Sequence, residues 1–220
     1  MNIKQNIEEI KKTIAKACNK TRRKPEEITI VAATKGREIK QIKEAVSCGI
    51  TDIGESTIQE LEEKYPDLKE LGTDIHFIGH LQSNKVKKAV QMCDYIQSVD
   101  SLDLLRKIHY ASLDMEKIQN IFLQVNTSNE PQKYGMKPEE VESMLTTMKN
   151  LPYNNVKFIG LMTIAPLVKN PEEARPYFQK LWDIKESLNL KHLSMGMSND
   201  YEIAIEEGAT VIRIGRKIFE

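Results

Sequence analysis

ITIVAATKGREIKQIKEAVSCGITDIGE, residues 28 to 55, places two short apolar runs on either side of a charged, amphipathic stretch. Ile28 to Lys35 is rich in β-branched residues and closes on Gly36, which reads as a strand followed by a turn. EIKQIKEAVSCG then carries apolar residues at helical spacing, and Thr51 to Glu55 returns to strand character. The same alternation continues outward along the chain. Further runs fall at Ile75 to Gly79, Tyr95 to Val99, Asn120 to Asn126, Val156 to Ile164, His192 to Gly196 and Thr210 to Gly215, making eight. Between them lie helical patterns such as SNKVKKAVQMC, SLDLLRKIHYA, KPEEVESMLTTMKN and NPEEARPYFQKLWDIKESLN, several opened by Ser or Asn, or by Pro in the first turn.

Alternating strands and helices imply a parallel sheet with right-handed crossovers, and eight units fit a closed (β/α)8 barrel of the α/β class better than a shorter open sheet. Two features depart from the standard plan. Ile3, Ile7, Ile10, Ile14 and Ala17 form the apolar stripe of an extra helix before the first strand. After the eighth strand only Lys217 to Glu220 remain, too few for a final helix, so the first helix is expected to cover the barrel instead. A length of 220 residues without linker or low-complexity tract implies one domain, residues 1 to 220.

Composition narrows the function. The chain balances 32 basic against 32 acidic side chains, so no net field draws in nucleic acid or an anionic membrane. Few, scattered aromatic residues offer no platform for stacked bases. Three cysteines, without a C-x-x-C pair, imply a reducing compartment. The N-terminus lacks a signal-peptide core and no apolar run is long enough for a bilayer, so a cytoplasmic protein acting on a small molecule is expected.

In such barrels the reactive groups sit at the C-terminal ends of the strands, and phosphate is often held after strands seven and eight. Strand one ends Ala32-Ala33-Thr34-Lys35-Gly36, placing a lysine at the mouth. A buried strand end would desolvate its ammonium and favour the free amine that Schiff-base formation requires. On position alone a solvated lysine is the commoner reading. Strand seven runs into Ser194-Met195-Gly196-Met197-Ser198-Asn199-Asp200, where glycine permits close backbone approach and serines offer hydroxyls. Asn199 followed by Glu202 also reads as a capping box for a helix starting near Tyr201. Strand eight ends Arg213-Ile214-Gly215-Arg216, read as two arginines on one strand face around a glycine. Arg213 is the stronger anion candidate, while for Arg216 a surface ion pair competes equally. His76 and His80 read as strand rather than metal ligands, His76 packing at a strand start. Ser83 reads as a helix cap before Asn84 and Lys85, and Met162, Met195 and Met197 at strand ends are more often packing residues.

Five blocks carry a family resemblance: ITIVAATK, DIGESTIQE, IHFIGHLQSNK, FIGLMTIAP and SMGMSNDYEIAIEEGATVIRIGRKIF, in order over nearly the whole chain. The chain resembles the pyridoxal phosphate homeostasis protein family, whose fold is like the N-terminal TIM-type barrel of alanine racemase. The resemblance implies pyridoxal 5'-phosphate (PLP) as cofactor, held as a Schiff base on Lys35. It implies phosphate contacts from Ser198 and the backbone near Gly215 and Arg216, with Arg213 near the pyridine nitrogen; Met195, Gly196 and Ser56 are counted with the cofactor contacts. An arginine there keeps its proton and weakens the ring as an electron sink. The racemase's second domain and its tyrosine base have no counterpart in this chain. The resemblance therefore implies a non-enzymatic holder that keeps free PLP low and supplies apo-PLP enzymes, as a monomer or weak homodimer. Two alternatives from the enzyme class are a weak PLP-dependent amino-acid racemase and an aldolase-like barrel using Lys35 on a sugar aldehyde.

Three departures stand out. Ser56 occupies the place of the family's usual asparagine after Gly54-Glu55, and Arg216 replaces a small hydroxyl residue after the strand-eight glycine. The chain stops at Ile218-Phe219-Glu220, where relatives usually continue with a glycine and a short tail.

Overall fold

The computed structural model describes residues 2 to 220. Eight strands close into one parallel barrel in chain order: β1 Thr29–Ala33, β2 Asp52–Glu55, β3 Asp74–Phe77, β4 Tyr95–Val99, β5 Gln119–Gln124, β6 Val156–Met162, β7 His192–Ser194 and β8 Val211–Ile214. Closure is made by β1 on β8, with Val31 opposite Arg213 and Ala32 opposite Ile214. The helices are α1 Ile3–Lys20, α2 Ile39–Ser47, α3 Ile58–Glu70, α4 Val86–Met92, α5 Leu102–Asp114, α6 Val141–Asn150, α7 Arg175–Ser187, α8 Tyr201–Glu206 and α9 Arg216–Phe219. Among the described residues no helix is long and apolar enough to cross a membrane.

The period of two along each strand divides the core into two shells. Residues facing outward, such as Ala32, Ile53, Ile96, Leu161, Leu193 and Ile212, pack under the helices in one continuous apolar cluster. Inward-facing Val31, Phe122, Met162 and Val211 form a second, smaller cluster inside the lumen. The lumen also holds buried polar side chains, among them His76, Gln97, Ser194 and Arg213.

The expected stripe of α1 is buried at every position, joined by Asn6 and Cys18. Asn2 and Gln5 close a reciprocal capping box at its start, which satisfies two of the orphan donors of the first turn. The helix lies on the outer wall against α2, α8 and α9, and Asn6 Nδ2 donates to Ile218 O at 3.0 Å. It thus completes the helical ring where the last unit is too short to do so. That last unit does form one helical turn, α9, where no final helix is expected from the sequence; Ile218 and Phe219 are apolar and anchor the turn by burial.

Strand bounds differ from the sequence expectation mainly at the C-terminal ends, where pairing stops two residues early in β1, β3, β5, β6 and β7. Those residues leave the ladder and turn over the rim. Ser83 does not cap a helix: it opens a 3-10 turn, Ser83–Lys85, and α4 starts at Val86. Thr57 and Ser101 are true caps, accepting from Glu60 N and Leu104 N.

Candidate functional site

The rim at β1 is held by a buried charge cluster. Thr34 is buried; its N–H donates to Gly54 O at 3.0 Å and its hydroxyl to Glu55 Oε1 at 2.6 Å. Lys64, from α3, donates to Thr34 O at 2.7 Å, Glu55 Oε1 at 2.8 Å and Glu60 Oε1 at 2.6 Å. Glu60 Oε1 also accepts the N–H of Gly36. One ammonium therefore ties down the peptide on each side of Lys35, directly at Thr34 and through Glu60 at Gly36. Burial pushes the Glu55 carboxyl up, against the pull of Lys64 and Thr34. Burial also raises Glu60, but Lys64 and the Gly36 N–H outweigh it and hold that carboxyl below its usual range.

Lys35 itself is exposed. The strand ends at Ala33 and a turn at Lys35 and Gly36, the latter with φ of 68°, lifts the side chain above the rim. The desolvated, buried lysine expected at this strand end is not what the fold provides, because the ladder stops before it.

Next to β1 around the mouth, the ends of β8 and then β7 carry a cluster of free donors. Ser198 is buried and its hydroxyl accepts from Lys217 N at 3.4 Å. Among the described residues, the backbone N–H groups of Ser198, Asn199, Gly215 and Arg216 donate to no protein acceptor. The capping box expected from Asn199 and Glu202 does not form; Asp200 precedes α8 and its carboxylate accepts from Met197 N at 2.6 Å instead. Burial pushes the Asp200 carboxyl up.

Arg213 is buried at 4% exposure and faces the lumen. Its Nη1 donates to Ser194 Oγ at 2.6 Å and its Nη2 to Thr163 O at 2.8 Å. Burial pulls the guanidinium down to about 10, with the Asp200 carboxylate opposing. The two arginines do not share a strand face. Positions 213 and 216 differ by an odd number, and the strand ends at Ile214, so Arg216 sits exposed on the first position of α9.

These groups surround two adjoining recesses. One, of about 290 Å³, is lined by Lys35, Ser56, Arg213, Gly215 and Arg216, with Ala33, Arg37, Ile78, Ile164 and Met197. The other, of about 460 Å³, shares Ala33, Ile164, Met197, Arg213, Gly215 and Arg216 and adds Ser198, Asn199, Asp200, Lys133 and the segment Ala165 to Val168. A larger cleft of about 580 Å³ lies between α1 and α9; Ser198 and Arg216 reach it but Lys35 and Arg213 do not.

Two expected contacts are not in either recess. Met195 points outward between β7 and the helices and is fully buried in the main core, since alternation sends Ser194 into the lumen and its neighbour out. Gly196 serves packing: with φ of 91°, a Cβ there would lie 2.5 Å from Ala204 Cβ and 2.9 Å from Tyr201 Cα, so glycine lets α8 approach. His76 is the third of the four residues of β3 and not at its start, and it stacks on Tyr95 with centroids 4.3 Å apart. His80 stacks on Tyr134 at 3.7 Å and lines a small neighbouring pocket with Ser56 rather than the recess of Lys35. Sequence reasoning missed Lys133 and Thr163, and it read as packing Met197, which lines both recesses. Only the first had a usable signal, as a basic residue in the loop after β5.

Chemically, the β1 end offers a primary amine, the neighbouring β7 and β8 ends offer backbone donors and the Arg216 guanidinium for an anion, and the buried Arg213 guanidinium lies beside them. That set suits a small, flat, phosphorylated carbonyl compound.

The family described as "Alanine racemase, N-terminal domain" matches residues 2–219. A pyridoxal phosphate homeostasis protein of Aquifex aeolicus is 39% identical over 225 residues, covering 100% of this chain and 98% of the relative. PipY of Synechococcus elongatus, in a structure without PLP, superposes with a TM-score of 0.84 at 33% identity, covering 94% of this chain and 100% of PipY. PipY with PLP bound gives a TM-score of 0.80 at 30% identity over the same shares.

Proposed function

This chain belongs to the pyridoxal phosphate homeostasis protein family, and from that premise we propose that it holds PLP as a Schiff base on Lys35 and hands it on, as one barrel domain of residues 1 to 220. The observation that carries this is the convergence of Lys35, Arg213, Gly215 and Arg216 on one recess, with Ser198 in the recess adjoining it. Bound there, PLP supplies an aldehyde that condenses with the Lys35 amine, forming a C=N bond and releasing water.

The chain's own residues divide the remaining work. Ser198 and the unpaired N–H groups at Ser198, Asn199, Gly215 and Arg216 hold the phosphate, with the Arg216 guanidinium in place of the family's hydroxyl. Arg213 meets the ring nitrogen as a donor that keeps its own proton, which leaves that nitrogen unprotonated and the ring a poor electron sink. Ser56, short and partly buried beside Lys35, leaves room where the family has an amide. Apart from Lys35 itself, no carboxylate, imidazole, phenol or amine lines the smaller recess among the described residues. Relatives named as homeostasis proteins rather than as enzymes support a holder over an enzyme. The setting is cytoplasmic, and the partners are apo-PLP enzymes, met by a monomer or weak homodimer.

The deciding experiment mixes the loaded protein with an apo-PLP enzyme. Delivery predicts reactivation faster than spontaneous release of PLP into solution allows. Reactivation no faster than release, together with steady conversion of an L-amino acid to its D-form by the loaded protein, would replace this reading with a weak racemase.

A further inference from the structure

Arg213 is held from behind by buried side chains that cross the lumen. Its Nη1 donates to Ser194 Oγ at 2.6 Å, and Ser194 Oγ lies 2.6 Å from Gln97 Oε1. Gln97 Nε2 lies 2.8 Å from His76 Nδ1, and His76 Nε2 lies 2.9 Å from Asp52 Oδ1. Ser194 and Gln97 are fully buried, His76 is 2% exposed and Asp52 9%. Asp52 starts β2, at the opposite end of the barrel from the mouth.

Donor and acceptor roles are fixed along the whole chain. A guanidinium only donates, so Ser194 Oγ accepts from Arg213 and gives its single proton to Gln97 Oε1. That orients the amide so that its NH2 faces His76, and Nδ1 accepts. The ring proton then sits on Nε2 and goes to Asp52. Every link runs from cation to carboxylate, and each polarises the next.

Barrel lumens are ordinarily packed with branched aliphatic side chains, and here only Val31, Phe122, Met162 and Val211 form an apolar cluster inside the lumen. A polar chain in the remaining volume is costly unless every member is satisfied. Here every link is made, and two of the five guanidinium N–H groups are used on Ser194 and Thr163, which fixes the plane of the group. The other donors are left to the recess that Arg213 lines with Lys35.

We propose that Gln97 and Ser194 are positioning residues: anchored by His76 and Asp52, they lock the Arg213 guanidinium in the orientation in which it meets the ring nitrogen of PLP. The electronic state of the bound ligand is thereby set from the far side of the barrel. The proposal rests on the reading of Arg213 given above.

The test uses the full chain loaded with PLP, comparing the native protein with Gln97→Met, which keeps volume without hydrogen bonds, and Ser194→Ala, which removes one oxygen. The readouts are the absorbance spectrum of bound PLP and its pH midpoint, the Kd for PLP, and mass of the borohydride-reduced protein. Both variants should still fix PLP on Lys35, with spectrum and pH midpoint displaced in the same direction and Kd weakened roughly tenfold. A purely structural role would lower thermal stability and leave the spectrum of the loaded protein where it is. Native spectrum, midpoint and Kd in either folded variant overturn the proposal; should Gln97→Met not fold, Ser194→Ala decides it alone. A native chain that takes up no PLP would instead overturn the reading of the site itself, so the two failures are distinct.

Discussion

Replacing Lys64 with methionine removes one ammonium that bonds to Glu55, Glu60 and Thr34 O at 2.6 to 2.8 Å. The Lys64 side chain is 10% exposed and Glu55 is fully buried, so the loss leaves a carboxylate without its counter-charge in the interior. Breaking a buried pair from one side costs about 3 to 5 kcal/mol. Proton uptake by Glu55 relieves part of that, because burial already pushes its carboxyl up. The lower end, about 3 kcal/mol, corresponds to a fall in Tm of roughly 6 to 12 °C for a chain of this size. The pH dependence follows from the sign. A carboxyl raised in the folded state is penalised as pH climbs above its unfolded value of about 4.3, so the variant should suffer less at about pH 5 than at about pH 8. Adding Glu55→Gln should recover part of the loss at the higher pH. The assay is thermal unfolding of the native, single and double variants by circular dichroism at both pH values. A Tm within about 2 °C of native, or a loss that neither pH nor the second substitution changes, would refute the claim that Lys64 neutralises the interior beneath Lys35.

Gly196→Ala should destabilise by about 2 kcal/mol or more, from left-handed strain and a 2.5 Å approach to Ala204 Cβ, while the folded fraction keeps its PLP affinity; loss of affinity at unchanged Tm would reinstate Gly196 as a ligand contact. Arg216→Ala removes the exposed guanidinium of the proposed phosphate site and should weaken PLP roughly tenfold, with little change in Tm; equal Kd would assign it to the surface. Arg175 joins Glu172, Glu206 and Glu207, and burial's upward push on Glu206 is outweighed by Lys20 and Arg175. Its lowered carboxyl contributes stability that is fully present above about pH 4.3 and is lost as pH falls through the folded value. Arg175→Met should therefore begin acid unfolding at higher pH than native, and an unchanged acid midpoint by circular dichroism would contradict that.

The barrel was legible because its strands and helices carry different periods, and because α1 announces its buried face at Ile3, Ile7, Ile10 and Ile14. The placement of Lys35, Arg213, Gly215 and Arg216 on one recess followed from their strand-end positions. What the periodicity does not encode is where the ladder stops. Lys35 stands exposed because pairing ends two residues before it, whereas the opposite parity of Arg213 and Arg216 is already written in their numbering. Met195 is turned away by parity, which the sequence does contain once Ser194 is known to face inward. Long-range partners are the other gap: the link from Lys64 to Thr34 and that from Gln97 to Ser194 join residues 30 and 97 positions apart. Each of these polar residues, read alone, looks like a surface side chain.

The central claim is that Lys35 carries the cofactor covalently. Purified protein incubated with PLP, reduced with borohydride and mapped by peptide mass should show one added pyridoxyl phosphate group, on the peptide containing Lys35, and none at that site in Lys35→Ala. An unmodified Lys35 peptide in native protein, or equal fixation in Lys35→Ala at another lysine such as Lys133, which lines the adjoining recess, would contradict it.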